Sequence, residues 1–142
     1  MKFLLGLATL SILHFAFSTA YNSAVAEEQF PSAIGEYPID AALSKSEDGN
    51  WIFRSFPQGS QLYIFKKDEP EKSNCNKGCA AAWPPLLVSS DSAKKVGNWT
   101  ILTREDGRKQ WAYKGQPVYR RYHDFPTPGN RYEKYGFYLL IP

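Results

Sequence analysis

Short runs of apolar residues, each four to six residues long, predict a domain built mainly from short β-strands. The candidate strands are rich in aromatic and branched side chains and cover Trp51–Phe56, Leu62–Phe65, Trp99–Thr103, Gln110–Tyr113, Val118–Tyr122 and Phe137–Ile141. No window has a long helical period. The best helix candidate is one or two turns from Cys75 to Ala82, which Pro84 ends because proline disfavours helical geometry before it.

A short pattern occurs twice in the chain, at an offset of 56 residues. Gly59 to Asp68 and Gly115 to Asp124 share, in register, a Gly, a Tyr, an Asp and a following Pro. Each copy is typical of a turn, a strand and an Asp that caps the next turn. Two copies are too few for a solenoid. We therefore expect a mainly β fold: a small single domain of short antiparallel strands in two pseudo-repeated hairpin units, with one short helical turn around Cys75–Ala82.

The N-terminus has the pattern of a secretion signal. Lys2 precedes an apolar run, and Ala24-Val25-Ala26 precedes two glutamates, which predicts cleavage after Ala26. We expect residues 1–26 to be a signal peptide, residues 27–45 an N-terminal arm or linker, and residues 46–142 the β domain. The mature chain is expected to be periplasmic or secreted. No later segment is apolar enough to span a bilayer, so we do not expect an integral membrane protein after cleavage.

The net charge of the mature chain excludes few classes of binding partner. Removal of residues 1–26 takes one of the 17 basic residues and none of the 14 acidic ones, which leaves a net charge of +2. So small a charge gives no argument for a nucleic-acid partner, and an exported location disfavours one. We predict no nucleic-acid binding.

The chain has two cysteines, Cys75 and Cys79. Thiols in an oxidising compartment are usually paired, and this spacing on a helical turn brings two Cα atoms within bridging distance. A Cys75–Cys79 disulfide is the preferred prediction, and it would fix the turn that presents Trp83 and the two following prolines. The alternative is a small copper-binding or electron-transfer accessory protein that uses Cys75, Cys79 and His123.

Basic residues and tyrosines alternate between residues 104 and 135. Arg and Tyr together suit a surface that meets an anionic glycan or a protein of the cell envelope, although solvated strand faces have a similar composition. The binding candidates are Trp83, Tyr63, Tyr119, Arg120 and Arg121. Core packing is the competing explanation for the aromatic ones.

No constellation in the chain supports an enzyme. Asp68 and Asp124 occupy matching positions, but turn capping explains both. The serines near residue 90 lack the motif of a nucleophile elbow. We expect a non-enzymatic exported module with a binding or structural role and no cofactor.

The run from Tyr63 to Asp68 matches the Tyr-x-aromatic-x-x-Asp hallmark of the bacterial secreted-repeat lipoprotein family, which is largely uncharacterised in function. Five further segments resemble the rest of the family signature, namely Ser73–Cys79, Ala82–Leu87, Thr103–Gly107, Gln110–Tyr113 and Gly115–Tyr119. The resemblance implies a periplasmic or cell-surface module and carries no catalytic residues. Two features depart from the family pattern: Arg121 stands where the second copy should have its hallmark aromatic, and the lipidation cysteine of many relatives is missing.

Overall fold

Seven short strands account for most of the regular structure in the computed structural model, which describes residues 31–122 and 132–142. The strands are β1 (Ala41–Lys45), β2 (Trp51–Ser55), β3 (Leu62–Phe65), β4 (Trp99–Thr103), β5 (Lys109–Tyr113), β6 (Gln116–Arg120) and β7 (Phe137–Leu139). The prediction of a mainly β small domain is confirmed. All six predicted strands agree with observed strands to within two residues at each end.

Within residues 31–122 and 132–142, helical structure is limited to α1 (Gly78–Ala82) and two single 3-10 turns, Ser32–Ile34 and Glu133–Tyr135. The predicted helical turn therefore starts later than Cys75. Lys77, directly before α1, has a φ of +50°, which a helix of L-residues does not accept. Within the described residues, no helix has the length and apolar character needed to cross a membrane.

The strands form two antiparallel sheets. One contains β1 and β2, and the other has the strand order β4-β5-β6-β3-β7. β1 lies inside the segment 27–45 that was expected to be an arm or linker, and it pairs with β2 along its whole length. Ile34 belongs to the buried core, and the Asp40 carboxylate accepts a hydrogen bond from the Trp111 indole at 2.7 Å. Residues from Ile34 onward thus pack with the β domain.

The two copies of the repeated pattern meet in the centre of the five-stranded sheet. β3 pairs with β6 in a register that places Tyr63 directly opposite Tyr119. Because these tyrosines hold equivalent positions in the two copies, a local pseudo-twofold axis passes between them. The two strands before each copy complete a three-stranded meander, β1-β2-β3 and β4-β5-β6, with an antiparallel bridge from Arg54 to Gln61 joining β2 to β3.

The segment that follows one copy pairs with the strand of the other copy, either β3 or β6, near the centre of the sheet. Residues 82–86, which follow β3, lie beside β6, and β7, which follows β6, lies beside β3. We call these two stretches the return segments. Their hydrogen bonds repeat across the axis: the Leu86 amide donates to the Val118 carbonyl and the Leu140 amide to the Leu62 carbonyl, both at 2.8 Å.

The core is divided by the alternation of side chains along β3 and β6. Leu62 and Val118 point into the larger cluster, which contains Trp99 and Trp111. Tyr63 and Tyr119 point into a second cluster. The members of this second cluster are Tyr63, Cys75, Trp83, Tyr119 and Phe137.

Candidate functional site

Four side chains form one continuous stack at the edge of the second cluster. Phe65 stacks on Phe137 with 4.3 Å between ring centroids, and Phe137 stacks on Trp83 at 3.7 Å. The guanidinium of Arg121 lies over the Trp83 ring, 4.9 Å from its centroid. We call these four side chains the stack. Because Phe137 occupies one face of the Trp83 indole, Arg121 covers the other, and the indole offers a ligand only its edge.

The stack follows the pseudo-twofold symmetry of the sheet. Phe65 and Arg121 are equivalent, since each stands two residues after the tyrosine of its copy. Phe137 is the register partner of Phe65 in β7. Trp83 takes the same place in the other return segment, where the amide of Tyr122 donates to the carbonyl of Ala82 at 3.1 Å. The two ends of the stack are therefore equivalent positions with different chemistry, one apolar and one cationic.

A cleft of about 550 Å³ opens beside the stack and is also lined by Cys79, Ala82, Tyr132 and Tyr135. We call it the arginine cleft. Among the residues that the structure describes, the lining has one basic side chain, Arg121, and no acidic one. Tyr135 is 59% exposed. The cleft therefore combines exposed aromatic surface with the charge of Arg121, and at its margin the Lys134 ammonium lies 4.9 Å from the centroid of the Tyr135 ring.

Arg121 is held in place by the cleft wall. Its Nη1 donates to the carbonyl of Ala82 at 2.8 Å, and its guanidinium lies 5.6 Å from the centroid of the Tyr132 ring. Within residues 31–122 and 132–142, no carboxylate forms a salt bridge with it. A guanidinium carries five N–H donors, so several remain for an anion in the cleft.

The predicted disulfide between Cys75 and Cys79 is confirmed, with the two Cα atoms 5.1 Å apart. Cys75 is fully buried, whereas Cys79 lines the arginine cleft. The amide of Trp83 donates to the Cys79 carbonyl at 2.8 Å, so the closed loop leads directly into the stack.

The copper alternative needs thiolate ligands, and both sulfurs are joined to each other in the structure. Its third proposed ligand, His123, lies outside the described residues. In the part of the chain that the structure describes, no three His, Cys, Asp or Glu side chains are grouped as a metal site.

A chain of hydrogen bonds lies behind the stack. Arg104 donates to Ser73 Oγ at 2.8 Å, the Ser73 and Tyr119 hydroxyls are 2.7 Å apart, and Tyr119 donates to Asp68 Oδ2 at 2.6 Å. Tyr119 has one proton, so Ser73 is the donor between the two hydroxyls. Arg104 also donates to the Cys75 carbonyl at 2.7 Å. A buried cation is thus tied to the disulfide loop on one side and to a carboxylate on the other.

Burial affects the protonation of the last two members of this hydrogen-bond chain, Tyr119 and Asp68. It raises the pKa of Asp68 above its usual value, while hydrogen bonds from Tyr119 and the Asn74 amide oppose the rise. Burial, together with the hydrogen bond to Asp68, raises the pKa of Tyr119. Tyr119 therefore keeps its proton and remains a donor to Asp68.

The structure brings together some of the predicted site residues and separates others. Trp83, Tyr63 and Tyr119 are buried in the second cluster, and of these Trp83 reaches the arginine cleft together with Arg121. Arg120 points to the opposite side of β6 and lines a separate cleft of about 370 Å³.

Sequence reasoning did not select two members of the stack, Phe65 and Phe137. The sequence carries a signal for Phe65, namely its position equivalent to Arg121 in the repeat. Phe137 has no such signal, because its role depends on the pairing of β7 with β3.

Comparison with known proteins identifies the repeat. The family model of the secreted repeat of unknown function matches residues 57–87 and residues 100–129. Searches of curated proteins and of solved structures found no match. A secreted repeat fits an exported protein, and the resemblance noted in the sequence is confirmed. Two segments of the chain are therefore similar to this secreted repeat.

Proposed function

We propose that the chain is an exported, non-enzymatic module, periplasmic or secreted, that binds an anionic component of the cell envelope in the arginine cleft. The observation that carries the proposal is the setting of Arg121. This side chain lies on Trp83, is fixed by the Ala82 carbonyl, and has no acidic partner among the described residues.

A cation held in this way is suited to binding. The contacts with Trp83 and Ala82 restrict the rotamers of Arg121 before a ligand arrives, so less conformational entropy is lost on binding. Arg121 is half-buried against the rings of Trp83 and Tyr132, which reduces its contact with water and strengthens a charge-assisted hydrogen bond. An anion is therefore the ligand that this cleft favours.

The two side chains whose pKa values burial raises lie outside the cleft, which favours a role without catalysis. Asp68 and Tyr119, whose pKa values burial raises, are engaged with each other and with Ser73 in a chain of hydrogen bonds. Neither side chain lines the arginine cleft. These groups stabilise the wall of the site and do not face a ligand in it.

The proposal is tested by calorimetric titration of the mature protein with polygalacturonate, which is anionic, and with dextran, which is neutral. We expect binding of the first and none of the second. Arg121→Gln should weaken binding of polygalacturonate about tenfold or more, because a hydrogen bond to a charged group contributes about 1.5–3 kcal/mol.

The matched control is Arg108→Gln, which removes the same charge from an exposed arginine that does not line the cleft. It should leave the affinity almost unchanged. Equal weakening by both variants would show attraction by net charge alone, and unchanged affinity in Arg121→Gln would exclude the cleft as the site. Either result overturns the proposal.

A further inference from the structure

We infer that the ligand of the arginine cleft is a glycan that contains uronic acid, and that Arg121 is the residue that makes the site prefer a carboxylate over a neutral sugar. This inference rests on the proposed function and names its ligand class.

The pseudo-twofold symmetry shows that the two ends of the stack differ in the side chain at one pair of equivalent positions, Phe65 and Arg121. Phe65 and Arg121 hold equivalent places, and the backbone hydrogen bonds around them are repeated: Lys66 donates to Gly136 at 2.8 Å, and Tyr122 donates to Ala82 at 3.1 Å. Both side chains lie against an aromatic ring of a return segment. The backbone around them is thus alike, and the side chain alone gives one end of the cleft its charge.

The chemistry of Arg121 favours a carboxylate. The planar guanidinium presents paired N–H donors that match the two oxygens of a carboxylate. Its single hydrogen bond to Ala82 leaves an N–H pair available. A neutral sugar hydroxyl fills only one of these donors and carries no charge.

The remaining surface favours a sugar over a peptide. Exposed Tyr135 and partly buried Tyr132 offer aromatic surface near Arg121, and the apolar C–H face of a pyranose covers such surface. An extended peptide also needs partners for its backbone groups. The Ala82 carbonyl at the cleft wall already accepts from both Arg121 and Tyr122.

The test compares two probes that differ only at the carboxylate: trigalacturonic acid and its fully methyl-esterified form. Binding to the mature protein is measured by titration, and the site is located by amide shifts of Ala82 and Trp83 in NMR spectra. We expect the acid to bind at least tenfold more tightly than the ester.

Arg121→Phe gives the second copy the side chain that Phe65 provides in the first, and it should abolish the preference for the acid. Arg120→Phe is the matched control, because it makes the same change in charge and composition on the other side of β6 and should keep the preference. Arg121→Lys retains the charge without the paired donors and should keep a reduced preference. Thermal unfolding of each variant checks that it is folded.

Equal affinities of wild type for acid and ester would overturn this inference and leave the proposed function standing if polygalacturonate binding still depends on Arg121. A preference that survives in Arg121→Phe would also overturn it. Tighter binding of a glutamate-rich peptide than of the trisaccharide would assign the site to a protein instead. If no anionic probe binds, both the inference and the proposed function are wrong.

Discussion

The hydroxyl of Tyr119 donates to Asp68 Oδ2 at 2.6 Å, across the boundary between the two repeats. Through Ser73, this bond is the last of a series that begins at the buried guanidinium of Arg104. All the donors point the same way, from the cation towards the carboxylate. This series of hydrogen bonds offsets the free-energy cost of burying the positive charge of Arg104.

Arg104→Ala is expected to lower the free energy of unfolding by about 3–5 kcal/mol, because it leaves several buried acceptors without a donor. These acceptors are Ser73 Oγ, Gln110 Oε1 and the Cys75 carbonyl. Urea unfolding measures the loss. Arg108→Ala, at an exposed position two residues before the buried Gln110, should change stability little. Similar stabilities for the two variants would contradict the structural role of Arg104.

Asp68→Asn is expected to remove a dependence of stability on pH. Because burial raises the pKa of Asp68 above 3.8 in the folded protein, the folded state binds more protons than the unfolded chain in the window just above that pH. The stability contributed by this group is complete below the window and is lost as the pH rises through the folded pKa. The unfolding free energy of wild type minus that of the variant should therefore fall as the pH rises from 3.8 through the raised folded pKa of Asp68.

Asp106→Asn provides the contrasting control. The side chain and backbone of Arg108 lower the pKa of Asp106 to about 2, so its contribution is lost as the pH falls towards that value. The unfolding free energy of wild type minus that of Asp106→Asn should therefore rise as the pH rises, the opposite of the result for Asp68→Asn. A difference for Asp68→Asn that rises with pH would show that its folded pKa is lowered.

Replacing both Cys75 and Cys79 by alanine is expected to destabilise the protein by about 2 kcal/mol, the value for a loop of this length in the chain-entropy model. Urea unfolding without reductant gives the number. The variant should also bind polygalacturonate more weakly, because the Cys79 carbonyl positions Trp83. Thiol titration of the unfolded wild-type protein should find no free thiol, and two would contradict the disulfide.

Gly97→Ala is expected to be more destabilising than Gly49→Ala. Both glycines have positive φ, so alanine strains the backbone in each. Only at Gly97 would the new Cβ also collide, 2.6 Å from the Glu36 carbonyl oxygen. Overpacking of this kind adds about 1–3 kcal/mol. Equal losses in urea unfolding would mean that the segment around Glu36 moves away from residue 97 without a penalty.

The sequence predicts strands well where aromatic and branched residues are concentrated, as in β3 and β4. It does not predict β1, because Ala41–Lys45 lacks β-branched residues. The disulfide depends on local spacing and was predictable. The stack was not, since Trp83 and Phe137 meet only after both return segments have paired with β6 and β3.

The candidate site, like the fold, can be predicted from the sequence only in part. The sequence selects Trp83 and Arg121, which line the arginine cleft, but it does not distinguish them from Tyr63 and Tyr119, which are buried behind it. A strand with a period of two places alternate residues on opposite faces, but periodicity does not say which face a neighbouring segment will cover. The sequence therefore does not separate Arg120 from Arg121, although the two side chains point to opposite sides of the sheet.

The return segments make the molecule resemble a strand-swapped dimer whose two subunits are linked in one polypeptide. A single repeat would lack the strand that its neighbour lends, and two separate repeats would be complementary to each other. Covalent linkage replaces that bimolecular encounter with a high effective concentration. It also allows the two halves to diverge, so a site on the axis can have unlike ends, which a true homodimer cannot.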